Sequence, residues 1–176
     1  AYDDRWATLA AAGESVHGEA DLVASFGPSS VLDAGCGTGR VAIELARRGV
    51  GVVGVDGDPS MLDAAHAKAP ELDWRLDDLM TVEIGARFDS IVAAGNVMIF
   101  LEPGTEARVV GNMSRHLAPG GCLIAGFELG RGYDIAAYDA DAEAAGLALA
   151  DRWSTWERAP WSPGAAYAVS VHVRPG

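Results

Sequence analysis

The chain has 176 residues, 49% of them hydrophobic, and a formal charge of −12 from 13 basic and 25 acidic side chains. That length suits one domain with a real core, and no apolar run approaches the roughly 20 residues a membrane-spanning helix needs. So acidic a chain, with Arg47-Arg48 as its one clear basic cluster, argues against nucleic acid as a partner, because phosphates call for a basic stripe.

Strand-like and helix-like patterns then alternate along the chain. Asp3, Asp4 and Arg5 near the start do not resemble a signal peptide. Residues 14–26 carry Val16, Ala20, Val23 and Ala24 at helical spacing, stopped by Gly27-Pro28. Val31-Leu32-Asp33 reads as a short strand ending in glycines. Residues 39–48 read as a helix with Val41, Ala42, Leu45 and Ala46 on one face and Gly49 as its stop. Val52 to Val55 is a buried strand ending at Asp56. Asp58-Pro59 starts a helix that runs to Lys68, with an N-cap acceptor followed by proline at the first helical position.

Leu72 to Leu76 and Phe88 to Ala94 are the third and fourth strands. A helix follows from Thr105 to Leu117. Pro119-Gly120-Gly121 then turns into a fifth strand, Cys122 to Leu129. Residues 134–145 form a helix capped by Asp134 and stopped by Gly146. Leu147 to Glu157 and Tyr167 to Val173 close the chain as two consecutive strands, hence a hairpin. The order predicts an α/β fold: a doubly wound, mostly parallel sheet with helices on both faces. Residues 1–28 are expected to be an N-terminal helical segment and residues 29–176 the single folded domain. Cys36 and Cys122 have neither metal-ligand spacing nor a disulfide framework, so no metal is expected and a reducing cytoplasm is the expected compartment.

The sharpest feature is Val31-Leu32-Asp33-Ala34-Gly35-Cys36-Gly37-Thr38-Gly39, a strand running into three alternate glycines and then a helix. Such glycines let the backbone turn tightly and let a ligand approach where a Cβ would intrude. Two chemistries compete. Gly37-Thr38-Gly39-Arg40-Val41-Ala42 fits the dinucleotide pattern G-x-G-x-x-A, and Asp56 stands roughly 20 positions on, where a ribose-binding acid belongs. Against a dinucleotide stands Asp33, because a carboxylate at the strand end repels a pyrophosphate and suits an ammonium or sulfonium.

Asp33-Ala34-Gly35-Cys36-Gly37-Thr38-Gly39 resembles the first motif of the class I S-adenosylmethionine-dependent methyltransferases. The resemblance continues through Gly54-Val55-Asp56, Phe88-Asp89 and Leu117-Ala118-Pro119-Gly120-Gly121, from Val31 to Val173. It implies a Rossmann-like seven-stranded sheet with a reversed terminal strand, S-adenosyl-L-methionine as cofactor and S-adenosyl-L-homocysteine as product. It also implies roles: the backbone around Gly35, Cys36 and Gly37 at the amino-acid end of the cofactor, with Asp33 near its ammonium. Asp56, followed by Gly57, would take the ribose hydroxyls. Met61 would pack on adenine, Asp77 or Asp78 would accept from its amino group with the Leu79 backbone alongside, and Ala94, Gly95 and Asn96 would face the methyl donor. Position 58 is Asp where the family often has serine, and either caps a helix.

The expected reaction is in-line methyl transfer to a small-molecule acceptor. A cofactor-binding module without turnover and a nicotinamide-dependent oxidoreductase are the alternatives. Candidates for the chemistry are few: His17 and Asn96, with Tyr2 and Arg5 at the cofactor's amino-acid end, Arg5 facing its carboxylate. His66 and His116 read as solvated on helices, and His172 as structural. Little chain is left over to cover the acceptor. The site is therefore open, closed by residues 2–18, or completed by a second subunit in a homodimer.

Overall fold

The computed structural model of the chain describes residues 2–11 and 16–176, apart from the side chains of Tyr2 and Ala11. In chain order the elements are α1 (Tyr2–Ala11), α2 (Gly18–Ser25), β1 (Ser30–Ala34), α3 (Arg40–Arg47), β2 (Gly51–Asp56), α4 (Pro59–Lys68) and β3 (Asp73–Leu76). Then come β4 (Phe88–Ala93), α5 (Val97–Phe100), α6 (Glu106–Arg115), β5 (Leu117–Glu128), α7 (Ile135–Ala144), β6 (Ala148–Trp153) and β7 (Tyr167–Val173).

The strands form one seven-stranded sheet in the order β3-β2-β1-β4-β5-β7-β6. All neighbours from β3 to β5 pair in parallel, and β7 runs antiparallel to both β5 and β6. This is the expected doubly wound sheet with a reversed terminal strand, and the closing hairpin is present with β7 lodged inside the sheet. Strands covered on both faces are apolar throughout: Val31 and Leu32 in β1 and Ile91 and Val92 in β4 are fully buried. One apolar cluster joins Leu32, Ile91 and Phe127 to Met113 of α6 and Tyr138 of α7. The other joins Val31, Val92 and Ile124 to Val23 of α2 and Leu45 of α3.

Local signals set most boundaries. The Asp58 side chain accepts from Ser60 N at 2.8 Å with Pro59 in the first turn, and Asp134 caps α7 by accepting from Ala137 N at 2.8 Å. Both caps satisfy amides that the first turn leaves without helical partners. Where expectation and structure differ, tertiary contacts decide. The helix predicted over 14–26 begins at Gly18, residues 12–15 lying outside the described set. The strand predicted to Glu157 stops at Trp153, because Ser154 N donates to Ala159 O and the chain doubles back. β5 starts at Leu117 rather than Cys122, since Leu117 already pairs with Phe88 across an irregular register. Helix α1 falls within the segment expected to be helical, and α5 was not foreseen.

The strand order reverses between β1 and β4: β2 and β3 are added on one side, β5 on the other. Their loops diverge there and leave a crevice at the carboxyl ends of the strands, where open α/β sheets bind ligands.

Candidate active site

The three loop glycines all have positive φ, 74° at Gly35, 54° at Gly37 and 85° at Gly39, but for different reasons. A Cβ on Gly35 would stand 2.6 Å from Val97 Cγ2, and one on Gly39 would stand 2.6 Å from the Trp74 ring. Trp74 backs a fourth glycine as well: a Cβ on Gly54 in β2 would meet the same ring at 2.5 Å. At Gly37 a Cβ would meet nothing within 4 Å. That glycine borders open space, so its conformation, not protein packing, requires it.

Asp56 ties this loop to the next one. Its Oδ2 accepts from Gly37 N at 2.8 Å and its Oδ1 from Asp58 N at 2.9 Å. Gly35 N and Cys36 N both donate to Val55 O. The ends of β1 and β2 are thereby held in one arrangement.

Asp33, at the end of β1, is 2% exposed, and its Oδ2 accepts from Ala42 N at 3.1 Å. Burial pushes its carboxyl up to about 7; the Ala42 hydrogen bond and the Arg40 charge oppose that rise, while Glu19 and Asp56 add to it. A cation placed beside it would favour the ionised form. Arg40 is held by Glu19 through a two-pronged pair at 2.6 and 3.0 Å and by Val16 O at 2.7 Å, with the Trp6 ring 3.7 Å from its guanidinium carbon. α1 is further fixed by Asp3, which accepts from Thr38 Oγ1 at 2.6 Å and pairs with Lys68 at 3.1 Å.

Asp33, Gly35, Cys36, Gly37, Asp56, Gly57, Met61, Asp77, Asp78, Leu79, Ala94 and Gly95, the residues named from sequence, all line one cleft of about 990 Å³. Asp77 and Asp78 share its floor, where Asp77 Oδ1 accepts from Asp78 N and Asp78 Oδ1 from Met80 N, both at 2.8 Å. The remaining candidates stand apart from this wall. Asn96 has a φ of 64° and its Oδ1 accepts from Glu128 N at 2.8 Å, so its side chain joins the ends of β4 and β5. Arg5 is exposed on α1 with its guanidinium 5.8 Å from the Trp6 ring. His17 Nε2 lies 3.8 Å from Glu44 on α3. The Tyr2 side chain lies outside the described residues.

His116 corrects the reading of a solvated histidine. It is buried, with Ile84 N donating to its Nε2 at 3.3 Å and its Nδ1 2.8 Å from Asn112 O. Those partners require the proton on Nδ1. His172 is structural as expected: its ring meets Tyr138 edge-on at 4.8 Å and its Nε2 meets Asp139 at 3.0 Å.

Sequence reasoning missed the opposite wall, Val97, Phe100, Leu101 and Glu102, and the cation Arg40. The signal for the wall was the apolar run Val97 to Leu101. Phe100 is 72% exposed, which an apolar run by itself does not anticipate.

Residues 31–121, half of the chain, match a family described as "Methyltransferase domain". The chain belongs to the S-adenosylmethionine-dependent methyltransferases. It superposes on the crystal structure of a TehB-like SAM-dependent methyltransferase from Corynebacterium glutamicum with a TM-score of 0.91 and 38% identity, covering 98% of this chain and 96% of that one. Magnesium-protoporphyrin O-methyltransferase of Rhodobacter capsulatus is 37% identical over 78 residues, 42% of this chain and 34% of that protein. Trans-aconitate 2-methyltransferase of Azoarcus sp. is 34% identical over 108 residues, 60% of this chain and 41% of that protein. The matched stretch thus spans well under half the length of these curated relatives. Membership decides between the two glycine-loop readings: the cofactor is S-adenosylmethionine, and the nicotinamide alternative falls.

The residues present fit that cofactor. The cleft is lined by a buried carboxylate, Asp33, by the open side of Gly37, and by four further aspartates, 56, 58, 77 and 78, at the β2 and β3 ends. Such walls suit a ligand that carries an ammonium and a sulfonium.

Proposed function

We propose that this chain transfers the methyl group of S-adenosylmethionine to a small-molecule acceptor by in-line displacement, in the cleft at the carboxyl ends of β1, β2 and β4. The observation that carries the reading is Asp33, a buried acid at the cleft whose ionisation calls for a cationic partner. The relatives named above carry small acceptors, a porphyrin and aconitate, in their names.

In this reading Asp33 and the backbone of Gly35, Cys36 and Gly37 hold the amino-acid end. Asp56 and Gly57 hold the ribose, where Asp56 turns its remaining acceptor capacity on the hydroxyls. Met61, Asp77, Asp78 and Leu79 hold the adenine, and Ala94 and Gly95 border the donor methyl. Asn96 acts at one remove, by fixing the end of β4 against β5. The cofactor brings its own sulfonium leaving group, so no covalent bond to the protein is required. The protein's part is to hold donor and acceptor close and in line, a contribution that reaches roughly 7–11 kcal/mol. Helix α1, docked through Asp3 and Trp6, would cover the amino-acid end and exclude water.

Calorimetric titration with S-adenosylhomocysteine and with NAD tests the cofactor. Saturable binding of the first alone is the expected result, and binding of NAD alone rejects it. A labelled-methyl assay over a set of small acceptors tests turnover. Tight cofactor binding with no transfer to any of them would leave a binding module in its place.

A further inference from the structure

On the proposed placement of the cofactor, the cleft has two unlike ends. Gly35 sits at the amino-acid end, and a Cβ there would stand 2.6 Å from Val97 Cγ2. Val97 opens α5, and Phe100 is one turn further along it, with Leu101 and Glu102 following. Through the contact of Val97 with Gly35, the wall made by Val97, Phe100, Leu101 and Glu102 is placed at the donor end.

The chemistry of this wall is narrow. Phe100 is 72% exposed and presents an aromatic face with no apolar partner to bury it fully. Water contact at such a surface is unfavourable, and burying it against a ligand recovers that cost. Glu102 is exposed, and its carboxylate makes no hydrogen bond or ion pair with the other described residues. Among the described residues that line the cleft, six carboxylates (Asp33, Asp56, Asp58, Asp77, Asp78 and Glu102) stand against one cation, Arg40, which Glu19 already pairs.

We infer that Phe100, Leu101 and Glu102 form the acceptor subsite and that its substrates are amines borne on an apolar body. This rests on the methyltransferase reading of the cleft and names its substrate class. Three acceptor types separate on physical grounds. An anionic acceptor enters against the summed charge of the wall. A neutral alcohol must shed its proton as the C–O bond forms, which calls for a base poised near neutrality. Among the described residues the cleft wall has no histidine, lysine or tyrosine, and burial pushes the Cys36 thiol up. The one group raised to about 7, Asp33, is buried against Ala42 N and on the proposed placement is taken up by the cofactor ammonium, not by the acceptor.

An aliphatic amine enters mostly as its ammonium and gives one proton to water before it reacts; the free amine so formed needs no base in the transfer itself. Its lone pair forms the N–C bond as the C–S bond breaks and that bond's electrons stay on sulfur. The sulfonium becomes a neutral thioether and the amine becomes an ammonium, which later gives its extra proton to water. Positive charge thus moves from sulfur to nitrogen during the step. A carboxylate beside the nitrogen, Glu102, stabilises the charge where it develops, while Phe100 and Leu101 hold the apolar body.

The test is calorimetry on the protein saturated with S-adenosylhomocysteine, using 2-phenylethylamine, 2-phenylethanol and 3-phenylpropanoate as matched probes. Expected is binding of the amine in preference to the other two. Glu102→Gln should weaken the amine by about tenfold and leave the alcohol unchanged. Phe100→Ala should weaken amine and alcohol alike. Both positions are exposed, so both variants should keep the wild-type affinity for S-adenosylhomocysteine, which also reports that they fold. The inference is overturned if the carboxylate binds as well as the amine, if no amine binding is seen at millimolar concentration, or if Glu102→Gln leaves amine affinity intact. Failure of S-adenosylhomocysteine to bind the wild type is a different result: it removes the cofactor reading before any acceptor is tried.

Discussion

Gly37 and Gly126 show how one residue type serves two halves of the sheet in opposite ways. Gly37 lies in the loop after β1, and nothing of the protein stands within 4 Å of where its Cβ would be. Gly126 lies in β5, and a Cβ there would press on the Trp156 ring at 2.5 Å and on Tyr167 Oη at 2.8 Å. At Gly37 the parallel half keeps space for something that is not protein. The antiparallel half fills its space with aromatic side chains, including the Phe127, Tyr133 and Tyr138 cluster. Function and stability are thus held largely by different residues, and substitutions should separate the two.

The largest expected effect is at the functional end. Asp56→Ala removes the acceptor for Gly37 N and Asp58 N along with the proposed ribose contacts. Hydrogen bonds to a charged group contribute roughly 1.5–3 kcal/mol each, so the affinity for S-adenosylhomocysteine should fall by one to several decades. A dissociation constant equal to the wild type's, measured by calorimetry, would remove Asp56 from the site.

Next is the reciprocal change. Gly126→Ala should cost about 1–3 kcal/mol of stability through overpacking against Trp156, read as a lower denaturant midpoint. The affinity of the remaining folded protein for S-adenosylhomocysteine should stay the same. A large loss of affinity would show that the two halves are coupled after all.

A third expectation is a dependence on pH. The Asp33 carboxyl is raised from 3.8 to about 7 in the fold, so the native state binds this proton more tightly than the unfolded chain. Its contribution to stability is full below about 4 and is lost as pH rises through about 7. The buried His172, lowered from its usual value mainly by burial, acts oppositely and costs stability as pH falls. Comparing Asp33→Asn with the wild type isolates the first effect: the variant should lose the decline between about pH 4 and 7. An identical pH profile in both proteins would contradict the burial argument.

The smallest effect is expected at α1. Asp3→Ala removes one hydrogen bond to Thr38 and a half-exposed pair with Lys68. Pairs of that kind contribute up to about 1 kcal/mol, so cofactor affinity should change a few-fold at most and the melting midpoint hardly move. A loss of a decade or more would mean that α1 contributes directly to binding.

The sheet and the cofactor wall were legible because their signals are local. Three alternate glycines after a strand, an acid at the end of the next, and a capping Asp58 before Pro59 are each readable within ten residues. The acceptor wall was not. α5 is a single turn of four residues without a side-chain cap, and Val97-Met98-Ile99-Phe100 reads equally as a buried strand. Arg40 was visible only as a filler in a dinucleotide pattern, since its partner Glu19 is 21 positions away. His116 looked solvated beside Arg115, yet it is buried, with Ile84 N, 32 positions away, donating to its Nε2 and Asn112 O, one turn back in α6, meeting its Nδ1. In each case the missing term was a contact between distant parts of the chain.

Trp74 stands behind Gly39 and Gly54 at once, its indole nitrogen donating to Ala69 O at 2.8 Å. The three positions therefore form one unit of inheritance. A side chain gained at 54 calls for a smaller residue at 74, one gained at 39 is strained by its φ of 85° as well, and a smaller residue at 74 by itself opens a hollow beneath the loop. Lineages descending from this sequence should change these positions in concert or not at all, and drift at one alone should be purged even though none of the three takes part in the chemistry.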